Sequence, residues 1–369
     1  MFRNLLDDFL APCDIQINGT RPHDLQVVDG RFYKEVLKRG SLGLGESFMR
    51  GWWISNDVEE LLYRLIQANA SDYFKRNPSI FWYYLKSKIF NLQNKTRSID
   101  VALKHYNIGN ELYQYMLGET MMYSCAYWKD AKNLEEAQEA KLDLICKKIN
   151  LSPGQTVLDI GCGWGGFAKF ASENYGVEVT GISISAEQVA FAKKWCKGLS
   201  AKFRLQDYRD LDEKFDRVVS IGMFEHVGYK NYAIFMKKVH ECLKAEGLFL
   251  LHCIGGNETS TATDPWIHKY IFPNGLIPSP KQLTTAIEPY FTLEDWHNFG
   301  PDYELTLNAW QDNFKRCWNH LKNKYDKLFY RMWLYYLNVS AASFKARHNN
   351  VWQLVLSNKG MLPHYSSIR

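Results

Sequence analysis

No Cys-x-x-Cys pair occurs among the eight cysteines, which are scattered from Cys13 to Cys317. That scatter excludes a zinc ribbon, offers no disulfide framework, and predicts a chain held in a reducing cytosol. No His-x-x-x-His or clustered Cys/His spacing is present, so no metal site is expected. No run approaches the roughly 20 apolar residues of a membrane-spanning helix. The opening stretch MFRNLLDDFLAP carries one basic residue and two acids, which is not the pattern of a secretory signal. Internal repeats and low-complexity tracts are missing, and 46% apolar with 23% charged residues excludes long disorder. A net charge of +5 is too small, taken over the whole chain, to indicate a nucleic acid or a membrane.

Aromatic residues, by contrast, are abundant: 22 Tyr, 21 Phe and 12 Trp make up 15% of the 369 residues. The charge is also segregated. Residues 73–97 hold six Lys/Arg, no acid and seven aromatics, and residues 313–347 hold eight Lys/Arg against the single Asp326. Basic residues flanking Trp, Tyr and Phe suit an anionic lipid interface. Within the second stretch, Leu328–Leu337 reads as buried nearly all round.

The length allows two or three domains. Residues 1–70 read as a small α+β unit, with short alternating stretches at Asp14–Ile17 and Leu25–Val28. A glycine-rich loop is expected at 40–45, then a helix at 58–68 capped by Asn56. From about Ser152 the pattern becomes alternating strands and helices. Strands are expected at 156–160, 177–182, 201–206, 215–221, 248–254 and 351–357, with helices through about Asn174 and at 186–197 and 232–243. Residues 304–347 read as helical. Short strands alternating with longer helices imply a parallel, doubly wound α/β sheet. The expected division is an N-terminal lipid-associated domain at 1–92, a linker at 93–108 and a catalytic domain at 109–369.

The run Val157-Leu-Asp-Ile-Gly-Cys-Gly-Trp-Gly-Gly166 closes a strand and opens a helix. Its glycines let a ligand approach the backbone, and the helix start offers unpaired N–H groups. By itself the pattern is weak, and its default reading is a dinucleotide site. Asp159 argues otherwise, because a carboxylate at the strand end would repel a pyrophosphate and welcome an ammonium group.

This run resembles the first motif of S-adenosylmethionine-dependent methyltransferases. More narrowly, the chain resembles the cyclopropane-fatty-acyl-phospholipid synthases. The resemblance is carried by Tyr123-Ser-Cys-Ala-Tyr-Trp128, Gln206-Asp-Tyr-Arg-Asp-Leu211, Gly222-Met-Phe-Glu-His-Val-Gly228, Leu250-Leu-His-Cys-Ile-Gly255, residues 266–275, residues 294–300 and Tyr335-Tyr-Leu-Asn338. It covers nearly the whole chain, including the front segment GSLGLGESFMRGWW. It implies a Rossmann-like methyltransferase domain behind a smaller N-terminal α+β domain. It also implies that S-adenosylmethionine lies under Tyr123 and Ser124, with its methionine end against Asp159, Gly161, Cys162, Gly163, Trp164, Gly165, Gly166 and Phe167. Ser183, Ile184 and Gln188 would reach the ribose, and Asp207 and Tyr208 the adenine. The second strand ends without the acid that clasps the ribose in most methyltransferases, and Gln188 is the substitute.

An alkene is a poor nucleophile, so methylating one needs a sulfonium-borne methyl group. Ring closure then removes a proton from the methyl just delivered. Such a site must be dry, aromatic-walled and supplied with a base. The resemblance implies that the base is bicarbonate, held by Glu225, His252 and Tyr303 and by the backbone N–H groups of Cys125 and Ile254. Glu225 and His252 follow or end strands, where ligands of open α/β sheets bind. His226, adjacent to Glu225, is read as structural. Ser340 stands where the family often has cysteine, so no thiol role is expected there. The partners implied are a bilayer surface on the inner face of the membrane, unsaturated acyl chains and a second copy of the chain. Nucleic acid is not a partner, since neither an RNA-binding signature nor an Asn/Asp-Pro-Pro-aromatic run is present. A related lipid methyltransferase that does not close the ring is the alternative.

Overall fold

The structure, a computed structural model, describes residues 2–68, 109–358 and 364–369. The basic aromatic stretch at 73–97 and the expected linker at 93–108 lie outside these residues. The chain forms two compact units, one of residues 1–91, 261–273 and 303–349, the other of residues 92–260, 274–302 and 350–369. The division follows packing and not chain order, so two segments late in the sequence belong with the N-terminal one.

In the first unit the helix Lys327–Lys345 packs on the helices Arg31–Met49 and Val58–Gln67. The expected glycine-rich loop is instead part of the helix Arg31–Met49, with a break in helical geometry at Gly40 (φ 55°, ψ −131°). Close packing explains its glycines: a Cβ on Gly45 would stand 2.4 Å from the Trp266 ring. The next helix is capped by Asp57 and not by Asn56, for it is the Asp57 carboxylate that accepts the Glu60 N–H at 2.9 Å. Leu328–Leu337 is not buried all round either. Leu328 is 45% exposed, and full burial starts only at Trp333. The first turns stack their rings along the helix, Tyr325 on Phe329 at 4.4 Å and Phe329 on Trp333 at 5.6 Å.

The second unit is built on a seven-stranded sheet. Its strands are β1 (Thr156–Ile160), β2 (Glu178–Ser183), β3 (Ala201–Leu205), β4 (Phe215–Ile221), β5 (Leu243–Gly256), β6 (Phe291–Asn298) and β7 (Asn349–Asn358). Their spatial order is β3-β2-β1-β4-β5-β7-β6. Strands β1 to β5 pair in parallel, and β6 pairs antiparallel with β7. The helices α1 (Leu134–Lys148), α2 (Gly166–Tyr175) and α3 (Ala186–Trp195) join one core, and α4 (Tyr232–Cys242) joins the other. Leu158, Val218 and Leu250 are fully buried, as strands covered on both faces require. Each such side chain contributes roughly 1.5–3 kcal/mol by leaving water. The order reverses between β1 and β4, and ligands of such sheets bind in the crevice that opens there at the carboxyl ends.

Candidate active site

At that reversal β1 ends in buried Asp159 and the chain turns sharply. Gly161 has φ +85°, and a Cβ there would lie 2.6 Å from Met223, so no other residue fits without movement. A Cβ on Gly166 would strike the Thr120 carbonyl at 2.3 Å, which shows how closely the segment before Tyr123 crosses the start of α2. The N–H groups of Gly161 and Cys162 both donate to the Ile182 carbonyl, at 2.9 and 3.0 Å, and tie the end of β1 to β2. Trp164 points its indole N–H at Asn110 Oδ1 (2.8 Å) and packs on Tyr113, which in turn meets Tyr123.

The strand ends beside it carry polar groups already oriented by neighbours. Ser183 Oγ donates to Gln188 Oε1 at 3.0 Å, and both residues are buried. Gln188 is therefore no solvated helix position. Ile184 between them is half-buried. Asp207, after β3, accepts the Arg209 N–H at 2.9 Å, and the neighbouring Tyr208 ring packs on Phe235. Tyr123 and Ser124 approach the end of β4, since a Cβ on Gly222 would lie 3.5 Å from that of Ser124 and 3.8 Å from the Tyr123 carbonyl.

Across the turn after β4, Glu225 Oε1 accepts the Ile254 N–H at 2.6 Å, and the enclosed Oε2 has no hydrogen-bond partner among the described residues. Burial pushes the Glu225 carboxyl up to about 7 against the pull of the Ile254 N–H. His252, near the end of β5, is 2% exposed. Burial and then the charges of Lys141 and Lys148 hold its pKa well below the ordinary value, so the ring is neutral. Gln353 Nε2 stands 3.3 Å from His252 Nδ1 and Phe299 packs on the ring edge-to-face. An amide donor at Nδ1 leaves Nε2 carrying the hydrogen. His226 is held near 4 by burial alone, in keeping with a structural role. Among the described residues no His/Cys/Asp/Glu group is arranged to hold a metal ion.

Of the expected residues, the structure thus gathers Asp159, the glycine turn, Ser183, Gln188 and Asp207 along the strand ends, and Glu225 with Ile254 beside them. Tyr303 belongs to the first unit, where its buried ring packs on Phe344 (4.6 Å) and Trp310 (5.8 Å). Sequence reasoning missed Gln353, Gln138 and Lys141. The last two had a readable signal: Leu134, Ala137, Gln138, Lys141, Ile145 and Lys148 recur at helical spacing, which places polar residues on a stripe that must face inward.

A sheet of this order, with a carboxylate and a glycine turn at the reversal point, suits an adenosyl cofactor with a cationic tail better than a pyrophosphate. The fold and the site define the class as an S-adenosylmethionine-dependent methyltransferase. The sequence profile of the mycolic acid cyclopropane synthetase family matches residues 93–354, so the chain belongs to that family. It is 48% identical over 353 residues to cyclopropane-fatty-acyl-phospholipid synthase of Escherichia coli K12, covering 96% of this chain and 92% of that one. Among solved structures it resembles the cyclopropane synthase MmaA2 from Mycobacterium tuberculosis, with a TM-score of 0.68 and 29% identity over 73% of this chain and 100% of that one. It also resembles the mycolic acid cyclopropane synthase CmaA1 complexed with SAH and CTAB, with a TM-score of 0.66 and 31% identity over 70% and 97%. The expected family and fold are both borne out.

Proposed function

We propose that this chain transfers the methyl group of S-adenosylmethionine to a cis double bond of a phospholipid acyl chain and closes a cyclopropane ring. The observation that carries the reading is the pairing of a glycine-rich cofactor turn with a buried carboxylate, Glu225, that keeps one oxygen free. When bound, the cofactor supplies an electrophilic methyl group on a sulfonium. Asp159 receives the methionine ammonium, Ser183 and Gln188 the ribose, and Asp207 with Tyr208 the adenine. The uncharged His252 adds no charge that would hold water against an apolar chain.

The residues also fit a small hydrogen-bonding anion such as bicarbonate, whose part would be to supply the base for the methyl proton. Glu225 Oε2 has no hydrogen-bond partner among the described residues, its carboxyl can carry a proton near pH 7, and His252 offers Nε2–H. The Cys125 N–H completes the proposed set. In the structure the Ile254 N–H is directed to Glu225, so its part is to aim that carboxylate.

Docking on an anionic membrane follows from the basic aromatic residues. Leu328 is exposed beside the half-buried Phe329 and Tyr330 and the exposed Lys327, an apolar and basic surface on the helix Lys327–Lys345. No helix among the described residues is long and apolar enough to cross a membrane. Vesicle flotation with anionic and neutral lipids tests this: Lys327→Glu with Leu328→Glu should reduce recovery on anionic vesicles severalfold. Equal recovery removes the docking proposal. The activity is tested with purified protein, S-adenosylmethionine and vesicles of cis-unsaturated phospholipid, and unmodified acyl chains alongside an active control overturn it.

A further inference from the structure

Lys141 is wholly enclosed on α1, and the chemistry above makes no use of it. Its Nζ donates to Ser124 Oγ at 2.9 Å. One turn earlier, Gln138 Nε2 donates to the carbonyls of Ser124 (3.0 Å) and Met122 (3.4 Å). Helix α1 thus holds the Met122–Ser124 segment from behind by side-chain and backbone contacts together.

Burying an ammonium costs several kcal/mol unless an opposite charge compensates it, and one hydroxyl does not. A leucine or methionine would fill the same place without that cost. Burial raises the Asp159 carboxyl to about 7 although the Lys141 ammonium draws it back, and burial lowers Lys141 to about 7 although the groups of Cys125 and Asp159 hold it up. Lys141 also acts on His252, where its charge adds to burial in keeping the ring neutral.

We propose that Lys141 is a positioning residue for the cofactor's methionine end, fixing the Ser124 hydroxyl while Gln138 fixes the backbone of the same segment. This rests on the reading of Ser124 and Asp159 as cofactor residues. A segment already held in place meets the cofactor with its orientation already accomplished.

The test compares wild type with Lys141→Met, Lys141→Gln and Asp159→Ala in the full chain. It reads calorimetric Kd for S-adenosylhomocysteine, KM for S-adenosylmethionine, kcat and Tm. The expected result for Lys141→Met is a rise in Kd and KM of about ten- to a hundredfold, the loss of one charge-assisted hydrogen bond, with a smaller fall in kcat at saturation. Lys141→Gln keeps a donor for Ser124 without the charge, and should fall between. A packing role alone would lower Tm and leave KM where it was, and that result in either folded variant overturns the proposal. If Asp159→Ala binds as wild type does, the cofactor reading itself fails. If Asp159→Ala loses binding while both Lys141 variants keep it, only the role of Lys141 falls.

Discussion

Glu225 and Ile254 are joined by a 2.6 Å hydrogen bond from a backbone N–H on β5 to one carboxylate oxygen in the turn after β4. The bond aims the second oxygen into an enclosed space, where it meets no partner among the described residues. A carboxyl group in that position is fixed in direction but not in charge. Burial raises it from 4.5 to about 7, so near neutral pH it can hold or release a proton.

Glu225→Gln should separate its two effects. The amide keeps an acceptor for the Ile254 N–H but cannot exchange a proton, so kcat should fall by about a hundred- to ten-thousandfold. The Kd for S-adenosylhomocysteine should change by less than about threefold, because the cofactor's proposed contacts lie elsewhere. Stability should move the other way. The raised acid favours the folded state fully below pH 4.5, and that benefit is lost as pH climbs through 7. The variant should match wild type near pH 4.5 and exceed it by up to about 3 kcal/mol at pH 8. Urea unfolding at the two pH values checks the sign.

Gln353 should matter through His252. The amide donates toward Nδ1 and so fixes which ring nitrogen carries the hydrogen. Gln353→Leu frees the tautomer, and kcat should fall by about tenfold with cofactor affinity unchanged. Nitrogen-15 spectra of His252 should show a ring with Nε2 protonated that stays neutral at the pH where an ordinary histidine titrates, and a tautomer mixture in the variant.

Gly161→Ala tests the cofactor turn. The new methyl would enter a backbone at φ +85° and press on Met223 at 2.6 Å, a change costing about 1–3 kcal/mol. S-adenosylhomocysteine should lose at least tenfold in affinity in calorimetry, while the far-ultraviolet circular dichroism stays that of the wild type.

Asp295 anchors a separate, structural cluster. Burial alone would raise its carboxyl, but Arg369 and Lys148 outweigh that and hold it below its ordinary value. Arg369 Nη1 lies 2.6 Å from it and the enclosed Lys148 Nζ 3.3 Å. Asp295→Asn should cost about 3–5 kcal/mol at pH 7 by leaving Lys148 buried without its anion. Because the acid's pKa is lowered, the stability it contributes is present above the ordinary carboxylate range. That stability is lost as pH falls, so the gap between the two proteins should narrow below pH 4. Thermal unfolding from pH 3 to 7 measures it.

How far the sequence could be read depends on where each segment lies. Strands β1 and β4 are legible to the residue because both faces are covered, which leaves short apolar-rich runs such as Val157–Ile160, interrupted only by Asp159. Strand β6 went unread: it lies at the sheet edge, and Phe291–Asn298 interleaves Thr, Glu, Asp and His with its apolar residues. The glycines at 40–45 look like a loop because composition does not distinguish a turn from a close helix contact, and the Trp266 ring that demands Gly45 is 221 residues away. In the site, the glycine turn and Asp159 can be named from the residues themselves, whereas Glu225 and His252 are named from the family resemblance, and the alternating pattern agrees by placing them at strand ends. The orienting groups were missed. Gln353 comes from the last strand with no pattern to mark it, while Gln138 and Lys141 recur with apolar residues at helical spacing and are readable as inward-facing.

Ring closure is the claim that most needs a direct measurement. Purified protein should be given S-adenosylmethionine with a fully deuterated methyl group and vesicles of a cis-monounsaturated phospholipid, and the acyl products analysed by mass spectrometry and proton NMR. A cyclopropane keeps two of the three deuteriums, because one leaves as the ring closes, and shows ring protons with no remaining alkene signal. That is the predicted result. A product retaining all three deuteriums on a methyl branch would show that the site methylates the double bond and stops, in contradiction of the mechanism proposed for Glu225 and its neighbours.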